Sequence, residues 1–250
     1  EETGRERGQA KKRGVGGAAI MCADKYDVDS LLARCEQGDL VAAYVLADLH
    51  YYGHYTPQDM FKAKALYVDV ADRGHWGAKG RCHEWGWGSY ERDGKKKVEC
   101  WQKGREEGDP VSIDRLGFCY QHGIDVEEDK QKAAALYEEA ACLGYANAIS
   151  YLGYCYDSGE GVGVDKKKAA SLYIEAADKG WPDAIYNLAA CYDEGDGVEK
   201  DCASAIELFK RAADIGYEDG RCALRRRGVE YIPKMIGAVE VKLPAVGSGV

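Results

Sequence analysis

The sequence contains no long apolar run, and nowhere does it approach the 18 or so consecutive apolar residues that a membrane helix needs. Positive charge is also in short supply: 34 Lys and Arg face 43 Asp and Glu, for a net charge of -9. General nucleic-acid binding needs a basic footprint to displace counterions, so this balance disfavours it and leaves room only for local basic patches.

Catalytic motifs are missing as well. There is no C-x-x-C pair for zinc or thiol redox chemistry and no G-x-x-x-x-G-K to cradle phosphate. His83-Glu84 starts like the metalloprotease pattern H-E-x-x-H, but Trp87 stands where the second ligand must be. His50 and His54 have helical spacing, yet Gly53 between them is expected to end the helix and part them. The acidic stretch Asp193 to Asp201 lacks the ligand order of a calcium loop. These absences predict no catalytic residues, no metal site and no cofactor.

What the chain has is repetition. Leu116, Leu152 and Leu188 recur every 36 residues, as do Cys119, Cys155 and Cys191, and Gly144, Gly180 and Gly216. A period in this range signals a solenoid or a propeller. Ala169, Leu172, Tyr173, Ala176 and Ala177 follow i, i+3, i+4, i+7, i+8, which lays one apolar stripe on a helix. Ala148, Leu152, Cys155 and Tyr156 form another, so each unit reads as a helical hairpin joined by a glycine-rich turn at 158–163. Gly180, at the end of the second arm, suits a positive φ that reverses the chain.

The pattern A-x-x-x-L-G-x-x-Y-x-x-G-x-G-V followed by K-A-A-x-x-Y-x-x-A-A-x-x-G resembles the Sel-1-like repeat, a relative of the tetratricopeptide repeat with a longer turn. The match is specific over 114–219, recognisable over 42–74 and poor over 78–111. The resemblance implies an all-α, right-handed α-solenoid of helix-turn-helix units, used as an adaptor in signalling, protein quality control or complex assembly.

Ten cysteines raise the question of disulfides. Cys119, Cys155 and Cys191 share one helix position, and Cys35, Cys82 and Cys100 fall where other units carry Ala141, Leu116 and Leu136. Six of the ten are thus expected in core register as small hydrophobes. Cysteine-rich secreted relatives bridge adjacent helices with cysteines eight residues apart, whereas here Cys142 faces Ser150 at that spacing. Reduced thiols, and with them an intracellular location in cytoplasm or an organelle, are expected.

In chain order, the reading gives a flexible, basic leader at 1–25 and a solenoid at 26–231. The solenoid divides into a half-repeat cap at 26–41, repeats at 42–77, 78–111, 112–147, 148–183 and 184–219, and a terminal cap at 220–231. An extended tail follows at 232–250. The second helix of the first repeat is expected to open at Pro57, where a missing N–H does no harm. The repeat at 78–111 departs most, with Gly80, Gly86 and Gly88 weakening its first arm by roughly 1 kcal/mol each and Trp85, Trp87 and Trp101 concentrated nearby. Those tryptophans either fill space left by the glycines or mark a site. Arg225 to Arg227 read as a polar terminal cap.

In tetratricopeptide-like solenoids the first arms line the concave groove, so the resemblance selects their outward positions as partner contacts. These are Tyr44, Asp48 and Tyr51; Arg81, Glu84 and Trp87; Arg115 and Phe118; Tyr151, Tyr154 and Asp157; and Asn187 and Asp193. Aromatics and arginines mixed with carboxylates resemble interface anchors. The expected function is a protein-binding adaptor holding a partner protein or peptide in this groove, oriented by Arg81, Arg115, Asp48 and Asp157. The alternatives are an architectural subunit of a multiprotein complex, bound through tails or convex face, and a hydrolase of the cysteine-rich repeat type.

Overall fold

A computed structural model describes residues 28–232. The leader at 1–25 and all but the first residue of the tail at 232–250 lie outside the described residues, as does the strand-like alternation at Val239 to Leu243.

The described residues form twelve helices: α1 (Val28–Glu36), α2 (Leu40–Tyr52), α3 (Met60–Asp72), α4 (Trp76–Trp85), α5 (Gly94–Glu106), α6 (Pro110–His122), α7 (Lys130–Cys142), α8 (Ala146–Ser158), α9 (Lys166–Asp178), α10 (Pro182–Glu194), α11 (Cys202–Asp214) and α12 (Glu218–Arg226). Each helix packs on the next, giving five hairpins between a leading α1 and a closing α12. This is the α-solenoid that the 36-residue period predicts.

Two chemical devices repeat along it. Every first arm ends on a left-handed glycine, from Gly53 to Gly195, whose N–H bonds back to the last helical turn. Every second arm starts after an aspartate: Asp59, Asp93, Asp129, Asp165 and Asp201 each accept from backbone N–H groups of the first turn. Asp59 therefore sets the start of α3 at Met60, and Pro57 lies in the turn before it rather than in the first helical turn. Substituting Asp165→Ala, which removes the bond to the Lys168 N–H (3.0 Å), is expected to cost about 1 kcal/mol. Chemical denaturation checks it, with an unchanged midpoint counting against the cap.

Successive units are tied by lysines. Lys130 of α7 pairs with Glu160 at 2.8 Å, and Lys166 of α9 pairs with Asp157 at 2.8 Å and Asp196 at 2.9 Å. In the irregular repeat, Gly86 and Gly88 fall after α4 and do not weaken it, while Gly77 and Gly80 lie inside it. The ring of Trp101 fills the room those two leave. Its indole N–H donates to the Gly77 carbonyl at 3.1 Å, and a Cβ on Gly80 would stand only 2.0 Å from the indole nitrogen.

Cys82, Cys119, Cys155 and Cys191 are buried, and Cys35 and Cys100 are half-buried, so the first four hold the core positions expected of them. Burial raises the Cys82 thiol to about 12 and those of Cys119, Cys155 and Cys191 to about 11. At neutral pH these are inert thiols. Arg227, in the terminal cap, pairs with Asp193 and lies 4.5 Å over the Phe209 ring, whereas Arg225 and Arg226 are exposed.

Candidate functional site

The concave face is built by α2, α4, α6, α8 and α10, and its side chains lie at two depths. Between α2, α4 and α6 the deeper side chains meet one another. Tyr44 is fully buried, and Asp48, Arg81 and Arg115 are also buried. These four are therefore not outward contacts: the curvature of the array turns them inward. Asp48 sits between the two guanidinium groups, at 3.5 Å from Arg81 and 3.7 Å from Arg115, and accepts from the Tyr67 hydroxyl. Arg81 also donates to the Tyr44 and Tyr52 hydroxyls, each at 3.2 Å, and to Glu84 at 2.8 Å. Asp114, next to Arg115, accepts from Asn147 at 2.9 Å, and burial raises its carboxyl to about 6.

The chain also closes on itself. The loop after α2 returns against the far end of the array, where the Tyr55 N–H donates to the Ile215 carbonyl at 2.9 Å and its hydroxyl donates to the Gly180 carbonyl at 2.6 Å. His54 packs between Tyr52 and Tyr217 with ring centroids 5.8 and 5.7 Å away. Burial, opposed by the charge of Asp48, holds His54 down at about 4, so it is neutral at pH 7. His50 is buried and its ring meets the Thr56 hydroxyl at 3.2 Å. The two histidines thus serve different packing contacts, and among the described residues no group of three or more potential ligands is arranged to hold a metal.

A second, less deeply buried set of first-arm side chains is aromatic and forms a partly open ledge. Tyr51 stacks on Trp85 at 4.8 Å, and Trp85 meets Trp87 at 4.2 Å. Phe118 approaches His122 at 4.4 Å and Tyr151 at 6.2 Å, and Tyr151 stacks on Tyr137 at 5.0 Å. Tyr52 is 45% exposed and Tyr154 is 41% exposed. Of the residues selected from sequence, Tyr51, Trp87, Phe118, Tyr151 and Tyr154 fall on this ledge. Glu84, Asp157, Asn187 and Asp193 are half-buried beside or beyond it, with Glu84, Asp157 and Asp193 paired to Arg81, Lys166 and Arg227.

Sequence reasoning missed the closing loop and the exposed Tyr52. The first carried no periodic signal. The second was legible as the next aromatic after Tyr51.

A family model of the Sel1 repeat matches residues 40–75, 77–109, 110–145, 146–181 and 182–217. No curated protein matches the chain. Among solved structures, the chain is similar to a Sel1 repeat protein from Oxalobacter formigenes, at 24% identity and a TM-score of 0.57 over 80% of this chain and 83% of that one. It is also similar to a protective antigen of uropathogenic Escherichia coli displaying an SLR fold, at 26% identity and a TM-score of 0.53. That likeness covers 82% of this chain but only 45% of the antigen.

Proposed function

Because this chain belongs to the Sel1 repeat family, whose members are in general protein-interaction scaffolds, we propose that it binds a segment of a partner protein along the aromatic ledge. The observation that carries this reading is a set of partly exposed aromatic side chains on the first arms and the turn after α4, with Tyr51, Trp85 and Trp87 in one group, Phe118 and Tyr151 in a second, and the exposed Tyr154 one helical turn beyond Tyr151. Large aromatics held by neighbours lose little entropy on binding and can supply most of an interface's energy. The charged residues Asp48, Arg81 and Arg115 hold the array together and do not orient the ligand. Asp157, held by Lys166, lies close enough to Tyr154 to form part of the rim.

No helix among the described residues is long and apolar enough to cross a membrane. A reducing, intracellular compartment fits this reading, because buried thiols serve the repeats as core residues.

The test is cross-linking mass spectrometry in native extract, followed by capture of the identified partner. Phe118→Ala combined with Tyr154→Ala is expected to weaken capture by about tenfold or more while preserving the helical circular dichroism. Undiminished capture by that variant sinks the ledge, and cross-links confined to α3, α5, α7, α9 and α11 would favour an architectural subunit held by its convex face.

A further inference from the structure

The row of turns that starts α6, α8 and α10 leaves an apolar cleft of about 440 Å³ against α1 and α2. Leu31, Val41 and Val45 form one side of it, and Pro110, Leu143 and Ala146 the other. That volume gives room for several aliphatic side chains. Leu143 is 54% exposed, so the described residues leave part of this apolar wall in contact with water.

The last described residues run toward this row of turns. After α12, Gly228 takes a left-handed conformation (φ 67°), and the N–H groups of Gly228 and Val229 bond back to the Arg225 and Leu224 carbonyls. The chain thereby reverses along α11, and the Tyr231 hydroxyl donates to Asp214, at the end of α11 beside the turn that starts α12. Val229 and Tyr231 pack on the array while Glu230 and Ile232 are exposed, the alternation of an extended segment laid on a surface. The next turn in the row is the one before α10, where Lys179 marks the near end of the cleft.

The sequence that follows carries a matching face. Val239, Val241 and Leu243 alternate with Glu240 and Lys242, so an extended chain presents three aliphatic side chains on one side. Val239 stands seven residues after Ile232, a reach of about 23 Å at about 3.3 Å per residue. One step along the row of turns is about 10 Å, the separation of packed helices.

We infer that residues 239–243 of this same chain dock in the cleft as an extended segment. Val239, Val241 and Leu243 cover Leu31, Val45 and Leu143, and Glu240 and Lys242 face solvent. The leader is the poorer occupant: Arg5, Arg7, Lys11, Lys12 and Arg13 would meet Arg34 and Lys179 at the rim as like charges. Docked there, the segment joins α1 and α2 to the turns before α8 and α10 and adds a second clasp to the closure made by Tyr55. The cleft is a separate surface from the aromatic ledge, and the inference does not depend on partner binding there.

The experiment uses the full chain, deuterated and carrying ¹³C-labelled Ile, Leu and Val methyl groups. Nuclear Overhauser contacts are expected from the methyl groups of Val241 and Leu243 to those of Leu31, Val45 and Leu143. A chain ending at Ile232 should lose these contacts and shift the Leu31, Val45 and Leu143 methyl signals. The full chain with Val241→Asp and Leu243→Asp should give cleft signals that match those of the shortened chain. Tenfold dilution should leave the contacts of the native chain unchanged, because they form within one molecule. Identical cleft signals in the full and shortened chains would overturn the proposal. So would contacts from the cleft to Ile20 of the leader, or contacts that fade on dilution and so assign the cleft to a second copy.

Discussion

Asp48→Ala is expected to destabilise the protein by about 3 kcal/mol, because it removes the carboxylate that two buried cations share. Arg81 and Arg115 both face this one carboxylate from inside the array, and neither can turn to solvent without opening the repeats between which it lies. Arg81 keeps Glu84 at 2.8 Å and Arg115 keeps Asp114 at 3.6 Å, so the cost is that of holding two cations in a low-dielectric interior with one counter-charge fewer. The same reasoning predicts that Asp48→Leu combined with Arg81→Met, Arg115→Met and Asp114→Asn is more stable than the single variant, since removing both cations together with their buried carboxylates also removes the desolvation cost. Urea denaturation followed by circular dichroism measures both. A cost below about 1 kcal/mol for Asp48→Ala, the range of exposed pairs, would falsify the internal placement of this cluster.

The second large effect centres on Trp101. Its side chain is almost wholly buried in the space between α4 and α5 that Gly77 and Gly80 leave empty. Trp101→Ala should therefore cost about 3–5 kcal/mol through lost burial and the cavity left behind. Gly80→Ala in the native background forces a methyl group into the indole and should cost about 1–3 kcal/mol. In the Trp101→Ala background that same methyl group has room, and replacing glycine within a helix gains up to about 1 kcal/mol. The double variant should thus be more stable than the sum of the single losses implies, with a coupling of about 1–3 kcal/mol. Strict additivity would show that the two residues do not share the space.

This pair also shows how much of the fold was legible. The hairpins, their 36-residue spacing and the glycine stops are local features, so hydrophobic periodicity and turn chemistry exposed them. The aspartate before every second arm was equally local and recurs with the same period, and it fixes a helix start that proline chemistry alone misplaced. The irregularity at 78–111 was visible, and filling of the glycine gap by a tryptophan accounts for Trp101.

The fate of the concave positions was not legible in the same way. Whether Asp48 points at solvent or at Arg115 depends on how far each repeat rotates against the last, a quantity that accumulates over several units and leaves no mark in any one of them. Tyr44, Asp48, Arg81 and Arg115 therefore shared a pattern with Tyr51, Phe118 and Tyr154 although the two sets lie at different depths. Helical spacing placed them all on one face of their helices, and only the superhelix separates interior from ledge.

The hydrogen bonds from Tyr55 to Ile215 and Gly180 bear on how such a chain can change over generations. An open solenoid tolerates duplication or loss of a unit, because each unit meets only its immediate neighbours. Here the first loop is matched to turns more than a hundred residues away, so an inserted repeat would carry α12 one step past its counterpart and leave His54 without Tyr217. The closure counts the repeats that lie between these contacts, and among the described residues that number is five.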